Sequence, residues 1–212
     1  MSDPCYENRF CASLPTEDRE ALCAICTKKS YARNEEVRQE LIMGAGHMLL
    51  ILDGAIATIK SSNGKIQYLH TASDVFGAEV LFNANPLSHA NFGIIRAFRQ
   101  TEVALLPTEQ LRQLFMERPA IAKALYMNLA TLDNRKSFYR MMVQLDDAYH
   151  AVLYMMLYLK KRGLEQPTHE ELAFLTGLNR VTVSRVMKDI LRGKDYESLD
   201  DFMSDYILRP NQ

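Results

Sequence analysis

The sequence predicts an α+β chain: an N-terminal antiparallel β-roll of the jelly-roll kind, a long helix, and a C-terminal helix-turn-helix. Three observations predict it. Short apolar stretches separated by turn formers run from Ser30 to about Leu106. The apolar period becomes helical after Pro107. Residues 167–192 then carry two helix-start signals on either side of a glycine. The segments divide as 1–28, a cysteine-bearing segment with a short helix; 29–107, the roll; 108–145, a short and a long helix; and 146–212, the helix-turn-helix with an acidic tail.

Hydrophobic residues make up 48% of the 212, enough for a core and too many for a disordered chain. The formal net charge of −1 gives no global attraction to a polyanion, so any nucleic-acid affinity must come from a local basic surface. No apolar run approaches the roughly 20 residues a membrane helix needs, and the N-terminus lacks the features of a secretory signal. A soluble, cytoplasmic protein is expected. The four cysteines, Cys5, Cys11, Cys23 and Cys26, all precede residue 27. Such clustering is unlike a disulfide framework and leaves metal, cluster or redox chemistry, or plain packing, as the readings.

Residues 14–28 read as a short helix, with Pro15 at its entrance, Glu17 and Asp18 in its first turn, and Lys28 and Lys29 at its end. In the roll, Met48-Leu49-Leu50-Ile51-Leu52 and Ala55-Ile56-Ala57-Thr58-Ile59 read as strands. Asp53-Gly54 and Asn63-Gly64 are hairpin-grade dipeptides, and Gly44 and Gly46 break the chain earlier. Thr108 can cap a helix that ends near Arg118, and Pro119 opens the next. From Ala122 a three-four spacing runs through Leu125, Leu129, Leu132, Lys136, Tyr139 and Val143. It reads either as a dimer seam, interrupted at Lys136, or as a helix packed on its own roll. Asp146-Asp147 then begins an apolar helix, Tyr149 to Leu159, closed by Lys160-Lys161-Arg162-Gly163.

Residues 167–192 are the most informative. Thr168 and Glu171 have capping-box spacing, Gly177 can take the left-handed conformation that ends a helix, and Asn179 can cap the next. Ala173 is small where two such helices approach, and Leu172, Leu178, Val183 and Val186 supply apolar contacts. Asn179, Arg180, Val181, Thr182, Ser184, Arg185 and Lys188 are left on or near an outer face, with Thr168 at its edge. Arginine can donate two bonds to guanine or reach phosphate, hydroxyls can bond either, and Val181 suits a thymine methyl. An ordinary helical hairpin would show a solvated charged face instead. The conjunction of caps, glycine, small residue and basic face favours double-stranded DNA as a partner.

The order of roll, long helix and helix-turn-helix resembles the CRP/FNR family of bacterial transcription regulators, over roughly Cys5 to Arg192. Leu50-Ile51-Leu52-Asp53-Gly54, Ser73-Asp74-Val75-Phe76-Gly77-Ala78-Glu79 and Arg180-Val181-Thr182-Val183-Ser184-Arg185 carry the likeness. The resemblance implies a homodimer held by the long helices, a palindromic operator read in major grooves about 34 Å apart, and RNA polymerase as a further partner. It implies base or phosphate contacts from Arg180, Ser184 and Arg185. Two departures stand out. Val181 replaces a glutamate common in members, so the operator need not match the best-known ones. The tail carries Asp195, Glu197, Asp200, Asp201 and Asp205 where members have a β-wing, and phosphate repulsion is expected to fold it away from DNA.

The resemblance also frames the signal. Members that bind cyclic nucleotides hold the phosphate with an arginine after a Gly-Glu-Leu turn. Here the turn reads Gly77-Ala78-Glu79-Val80-Leu81 and the arginine stretch reads Pro86-Leu87-Ser88-His89-Ala90, so a cyclic nucleotide is not expected. Gly77, Glu79 and Arg96 remain the residues of an effector pocket, although Arg96 and Arg99 also read as strand or surface positions. The oxygen-sensing branch uses three N-terminal cysteines and one in the roll. Cys5 and Cys11 match its last N-terminal spacing, Ser2 stands at the preceding position, and residues 27–212 hold no cysteine. A rearranged set of Cys5, Cys11, Cys23 and Cys26 would suit an iron–sulfur cluster or zinc, with Cys23 and Cys26 on one helix face; alternatively these thiols pack as small hydrophobes. His47, His70 and His89 read as haem or metal ligands or as structural residues. A competing function is a small-molecule or partner-binding roll with a degenerate helix-turn-helix. No nucleophile elbow, P-loop, dinucleotide fingerprint or metalloprotease motif supports an enzyme.

Overall fold

The apolar stretches after Ser30 form strands of two antiparallel sheets in a computed structural model that describes residues 8–37, 46–60, 64, 66–78, 81, 93–143, 147–164, 166–191 and 198–208. Strands β1 (Thr27–Tyr31), β7 (Thr101–Pro107), β2 (His47–Asp53) and β5 (Val75–Phe76) make one sheet in that spatial order. The other places β3 (Ala55–Ile59) between β4 (Ile66–Thr71) and β6 (Ile94–Ala97). Helices α1 (Arg9–Ala12) and α2 (Thr16–Ile25) precede the strands, and α3 (Thr108–Glu117) and α4 (Pro119–Val143) follow them. The chain divides into two compact units, Met1–Lys136 and Ser137–Gln212, with the boundary inside α4.

Strand β2 shows why the sequence reads as an unbroken apolar run. Leu49 and Ile51 join Tyr31, Ile56, Phe76, Ile95, Ala97, Val103 and Leu105 in a core with residues from both sheets. Met48, Leu50 and Leu52 point the other way, into a second core with Leu22 of α2, Leu111 of α3, and Ile121 and Leu125 of α4. Both faces are covered, so alternation is lost.

Of the second dipeptide, Gly64 is described: it stands between the antiparallel partners β3 and β4, with φ +66° and its N–H donating to Lys60 O at 2.9 Å. Asn63, like Gly44, is outside the described residues. The hairpin expectation for Asp53-Gly54 is corrected, because β2 and β3 belong to different sheets. Gly54 instead carries the chain from one sheet to the other at φ +80°, where a Cβ would sit 2.8 Å from Thr101 Cα. Helix α2 stops at Ile25, so Lys28 and Lys29 lie on β1 rather than at a helix end. Thr108 does not cap α3. It is the first helical residue, Pro107 holds the cap position, and the Thr108 N–H donates to Gly46 O.

The apolar spacing along α4 faces the molecule's own cores. Leu125 is fully buried in the core beneath the four-stranded sheet, Leu129 packs against it, and Leu132 is buried. Tyr139 is buried in the second unit, where its hydroxyl donates to Leu175 O at 3.1 Å. Leu125, Leu132 and Tyr139 are already covered within one subunit, so as a dimer seam these three are corrected, while Leu129 stays half-buried. Lys136 lies 6.0 Å from the centre of the Tyr68 ring and so belongs to the roll side as well. Among the described side chains of α4, the large apolar ones left exposed are Tyr126, Met127, Phe138 and Met141.

A polar clasp binds α4 to the β4–β5 turn. Asn128 Nδ2 donates to Ser73 O at 2.8 Å while its Oδ1 accepts from Val75 N at 3.1 Å. Arg135 Nη2 pairs with buried Asp74 Oδ1 at 2.7 Å, and Asp74 Oδ2 accepts from Thr71 N at 2.9 Å. The N-terminal segment reaches the same place: Asn8 Nδ2 donates to Ile51 O at 2.9 Å and Arg9 N to Ser73 Oγ at 3.2 Å.

The second unit is built on α5 (Ala148–Lys161), whose apolar residues are buried along most of its length. Asp147 Oδ1 caps it by accepting from Tyr149 N at 2.8 Å. Gly163 at φ +69° closes it, with Gly163 N donating to Lys160 O and Leu164 N to Leu159 O, a Schellman end. Helices α6 (His169–Thr176) and α7 (Arg180–Ile190) pack on it, as does α8 (Leu199–Leu208). The acidic tail therefore includes a helix, docked by buried Phe202 and by Lys161 Nζ on Asp200 Oδ1 at 2.7 Å. Asp195 and Glu197 are outside the described residues.

Candidate nucleic-acid interface

Helix α6 begins where its sequence says it should. Thr168 Oγ1 accepts from Glu171 N at 3.1 Å, and Glu171 Oε2 accepts from Thr168 N at 2.8 Å, so the capping box is complete. Gly177 ends the helix at φ +72°, a conformation that L side chains adopt rarely. Asn179 Oδ1 accepts from Thr182 N at 2.8 Å and starts α7. Leu172, Leu175, Val183, Val186 and Ile190 are buried and fix the pair of helices, with Leu178 half-buried in the turn.

This geometry sorts the expected contact residues. Arg180, Val181, Arg185 and Lys188 are exposed on α7, Val181 by 70%. Their only acidic neighbour on that helix is Asp189. Thr182 and Ser184 are half-buried. The Thr168 hydroxyl and the Asn179 side-chain oxygen are engaged as caps, so their part is to set where the helices begin. Ser184 Oγ lies 2.9 Å from His169 Nδ1, the first residue of α6. Sequence reasoning missed His169; its position directly after a cap, facing the next helix, was the available signal.

The roll residues are less gathered. Gly77, at φ +83°, follows β5 in one sheet, while Arg96 lies on β6 in the other, its backbone paired with that of Glu36 in an isolated antiparallel β-bridge. Glu79 and the stretch Pro86–Ala90, with His89, are outside the described residues. His70 is buried between the rings of Tyr68 and Phe76, with centroids 4.9 and 4.8 Å away. Burial holds its imidazole well below the ordinary histidine range, and the charges of Lys136 and Arg135 push the same way. His47 is half-buried on β2.

Cys5 is outside the described residues. Cys11 is buried in α1, and Cys23 and Cys26 pack against the same core. Their placement on one helix face is corrected: α2 ends at Ile25, and Cys26 is extended, its N–H donating to Cys23 O at 3.3 Å. Among the described residues, no three His, Cys, Asp or Glu side chains converge as metal ligands, and no helix is long and apolar enough to cross a membrane.

No protein-family profile and no curated protein matches the chain. Solved structures do. The c-di-GMP-responsive global regulator CLP of Xanthomonas campestris superposes with a TM-score of 0.64 at 19% identity, over 84% of this chain and 92% of that one. FixK2 of Bradyrhizobium japonicum gives 0.63 at 21% identity, over 79% and 85%. A CRP-family transcriptional regulator of Thermus thermophilus gives 0.60 at 21%, over 79% and 88%. The chain has the fold of the CRP/FNR transcriptional regulators, with antiparallel roll and helix-turn-helix in the same order.

Proposed function

We propose that this chain is a homodimeric, sequence-specific DNA-binding transcription regulator that acts on a palindromic operator and, through it, on RNA polymerase. One observation carries the reading: two helices fixed by a complete capping box, a left-handed glycine and an asparagine cap leave Arg180, Arg185 and Lys188 outward on a single short helix. Three cations there supply what a net charge of −1 does not, a local surface for a phosphate backbone. The dimer contact falls to the exposed side of α4, where Tyr126 and Met127 are 65% and 54% exposed and Phe138 and Met141 43% and 45%. Apolar side chains at such exposure on one helix suit a matching helix of a second copy. The signal enters through the roll or the N-terminal thiol segment, and the turn sequence Gly77-Ala78-Glu79 argues for an effector other than a cyclic nucleotide. Metal analysis and an absorption spectrum after anaerobic purification test the thiol route.

Arg185→Ala tests the interface. It is expected to weaken specific binding by about 1–3 kcal/mol, roughly 5- to 150-fold, with no change in thermal stability. Failure of the full-length protein to prefer any duplex from a randomised pool, at about 0.15 M salt, would overturn the reading.

A further inference from the structure

The contact between His169 and Ser184 has a chemical consequence for that surface. A serine hydroxyl carries one proton, and a neutral imidazole carries one N–H shared between two nitrogens. If Ser184 donates to His169 Nδ1, it offers only lone pairs outward. If Nδ1 carries the proton and donates to Ser184 Oγ, the hydroxyl proton is released outward, toward a phosphate, a guanine N7 or O6, or a thymine O4. In the imidazolium both nitrogens carry protons, so the second arrangement is enforced and Nε2–H becomes a further donor.

We propose that His169 is a positioning residue of the DNA-reading surface, whose protonation on binding turns Ser184 from hydrogen-bond acceptor to donor and links operator affinity to pH. This rests on the DNA-binding reading above. The two side chains are 2.9 Å apart and half-buried, on the adjoining helices that a helix-turn-helix presents to a duplex. Packing holds the pair in place, with Leu172 and Val183 buried beside them in sequence and Glu171 locked in the capping box.

The charged side chains of α6 and of the helices that pack with it are of both signs. Helix α7 carries Arg180, Arg185, Lys188 and Asp189, and α6 itself carries Glu170 and Glu171. Helix α5 contributes His150, Lys160 and Lys161, of which Lys161 is paired with Asp200. From α4 the Tyr139 hydroxyl reaches α6, bonded to Leu175 O. A duplex adds closely spaced phosphate charges to one side of this mixed surround, and that negative potential favours the imidazolium. One proton is then taken up per subunit on binding, from solvent, and released on dissociation.

The test is the affinity of the full-length protein for a duplex it has itself selected from a randomised pool, between about pH 8 and pH 5.5, across the ordinary histidine range. Wild-type affinity is expected to rise as pH falls, by up to about tenfold per pH unit for each linked proton. His169→Gln, which can still bond Ser184 but cannot titrate there, should lose that dependence while unfolding at the same temperature as wild type. Ser184→Ala should lose affinity several-fold at low pH and little at high pH. An unchanged pH dependence in His169→Gln overturns the proposal while leaving DNA binding intact. A protein that selects no duplex at any pH overturns the regulator reading and this inference with it.

Discussion

The two units are held together in different ways. In the first, the polar bonds that fix the architecture join residues far apart in sequence: Asn8 to Ile51, Asn128 to Ser73, Arg135 to Asp74. In the second, the caps that start the two helices of the functional surface join residues three apart, Thr168 to Glu171 and Asn179 to Thr182. A long-range clasp closes only when the chain around it has folded, so its loss should register as lost folding of a whole unit. A cap acts on one helix end. Its loss should be smaller and should displace the surface it aims, without unfolding the roll.

The largest effect should come from the clasp. Arg135→Ala strands the Asp74 carboxylate, whose side chain is 1% exposed, with Thr71 N as its remaining partner in the clasp. Removing one member of such a buried pair costs about 3–5 kcal/mol, because the charge left behind is uncompensated. Urea unfolding should show that loss in the first unit while DNA-independent markers of the second stay in place. A loss below about 1 kcal/mol would put the pair among surface ion pairs and remove the contrast between the units.

The same contrast decides what could be read from sequence. Thr168, Gly177 and Asn179 each announced their role because a cap depends on residue type and on a partner within three positions. The turn at Gly64 was legible for that reason too. Gly54 was misread because its dipeptide signals a tight turn, whereas the sheet assignment of β2 and β3 depends on β7 and β6, far along the chain. Leu125, Leu132 and Tyr139 have the spacing of a seam, yet periodicity states only that one helix face is covered. What covers it, a roll core for Leu125 and Leu175 O for Tyr139, is tertiary information. The clasp left no local trace, and for the His169–Ser184 contact the position of His169 after a cap was legible but its partner, fifteen residues on, was not.

His70 sharpens the comparison through pH. Its folded imidazole is held neutral by burial and by Lys136 and Arg135, whereas the unfolded chain takes up a proton near pH 6.5. Folded His70 thus binds fewer protons than unfolded, so its stability contribution is intact above about pH 6.5 and is lost as pH falls below it. The slope approaches about 1.4 kcal/mol per pH unit until the folded group itself titrates. His70→Phe should remove that component, because phenylalanine keeps the edge-on ring contacts with Tyr68 and Phe76 and carries no titrating nitrogen. Urea midpoints of the variant and wild type should agree near pH 7.5 and diverge in the variant's favour toward pH 5.5. Parallel pH profiles would show that His70 is protonated in the fold.

The smallest effect belongs to the capping box. Thr168→Ala removes the acceptor for Glu171 N and leaves the Glu171 side chain as the only half of the box. Loss of an N-cap hydroxyl costs about 0.5–2 kcal/mol, near 1 in most helices. The cost should fall on the second unit alone, and Thr168→Ser should restore most of it, since serine caps as well as threonine. DNA affinity is the finer probe. If Thr168 acts only by placing the start of α6, Thr168→Ser binds its selected duplex like wild type and Thr168→Ala loses affinity in proportion to lost helix order. A serine variant that folds like wild type but binds more weakly would instead make the threonine methyl group part of the contact surface, turning a position set by local physics into one set by the partner.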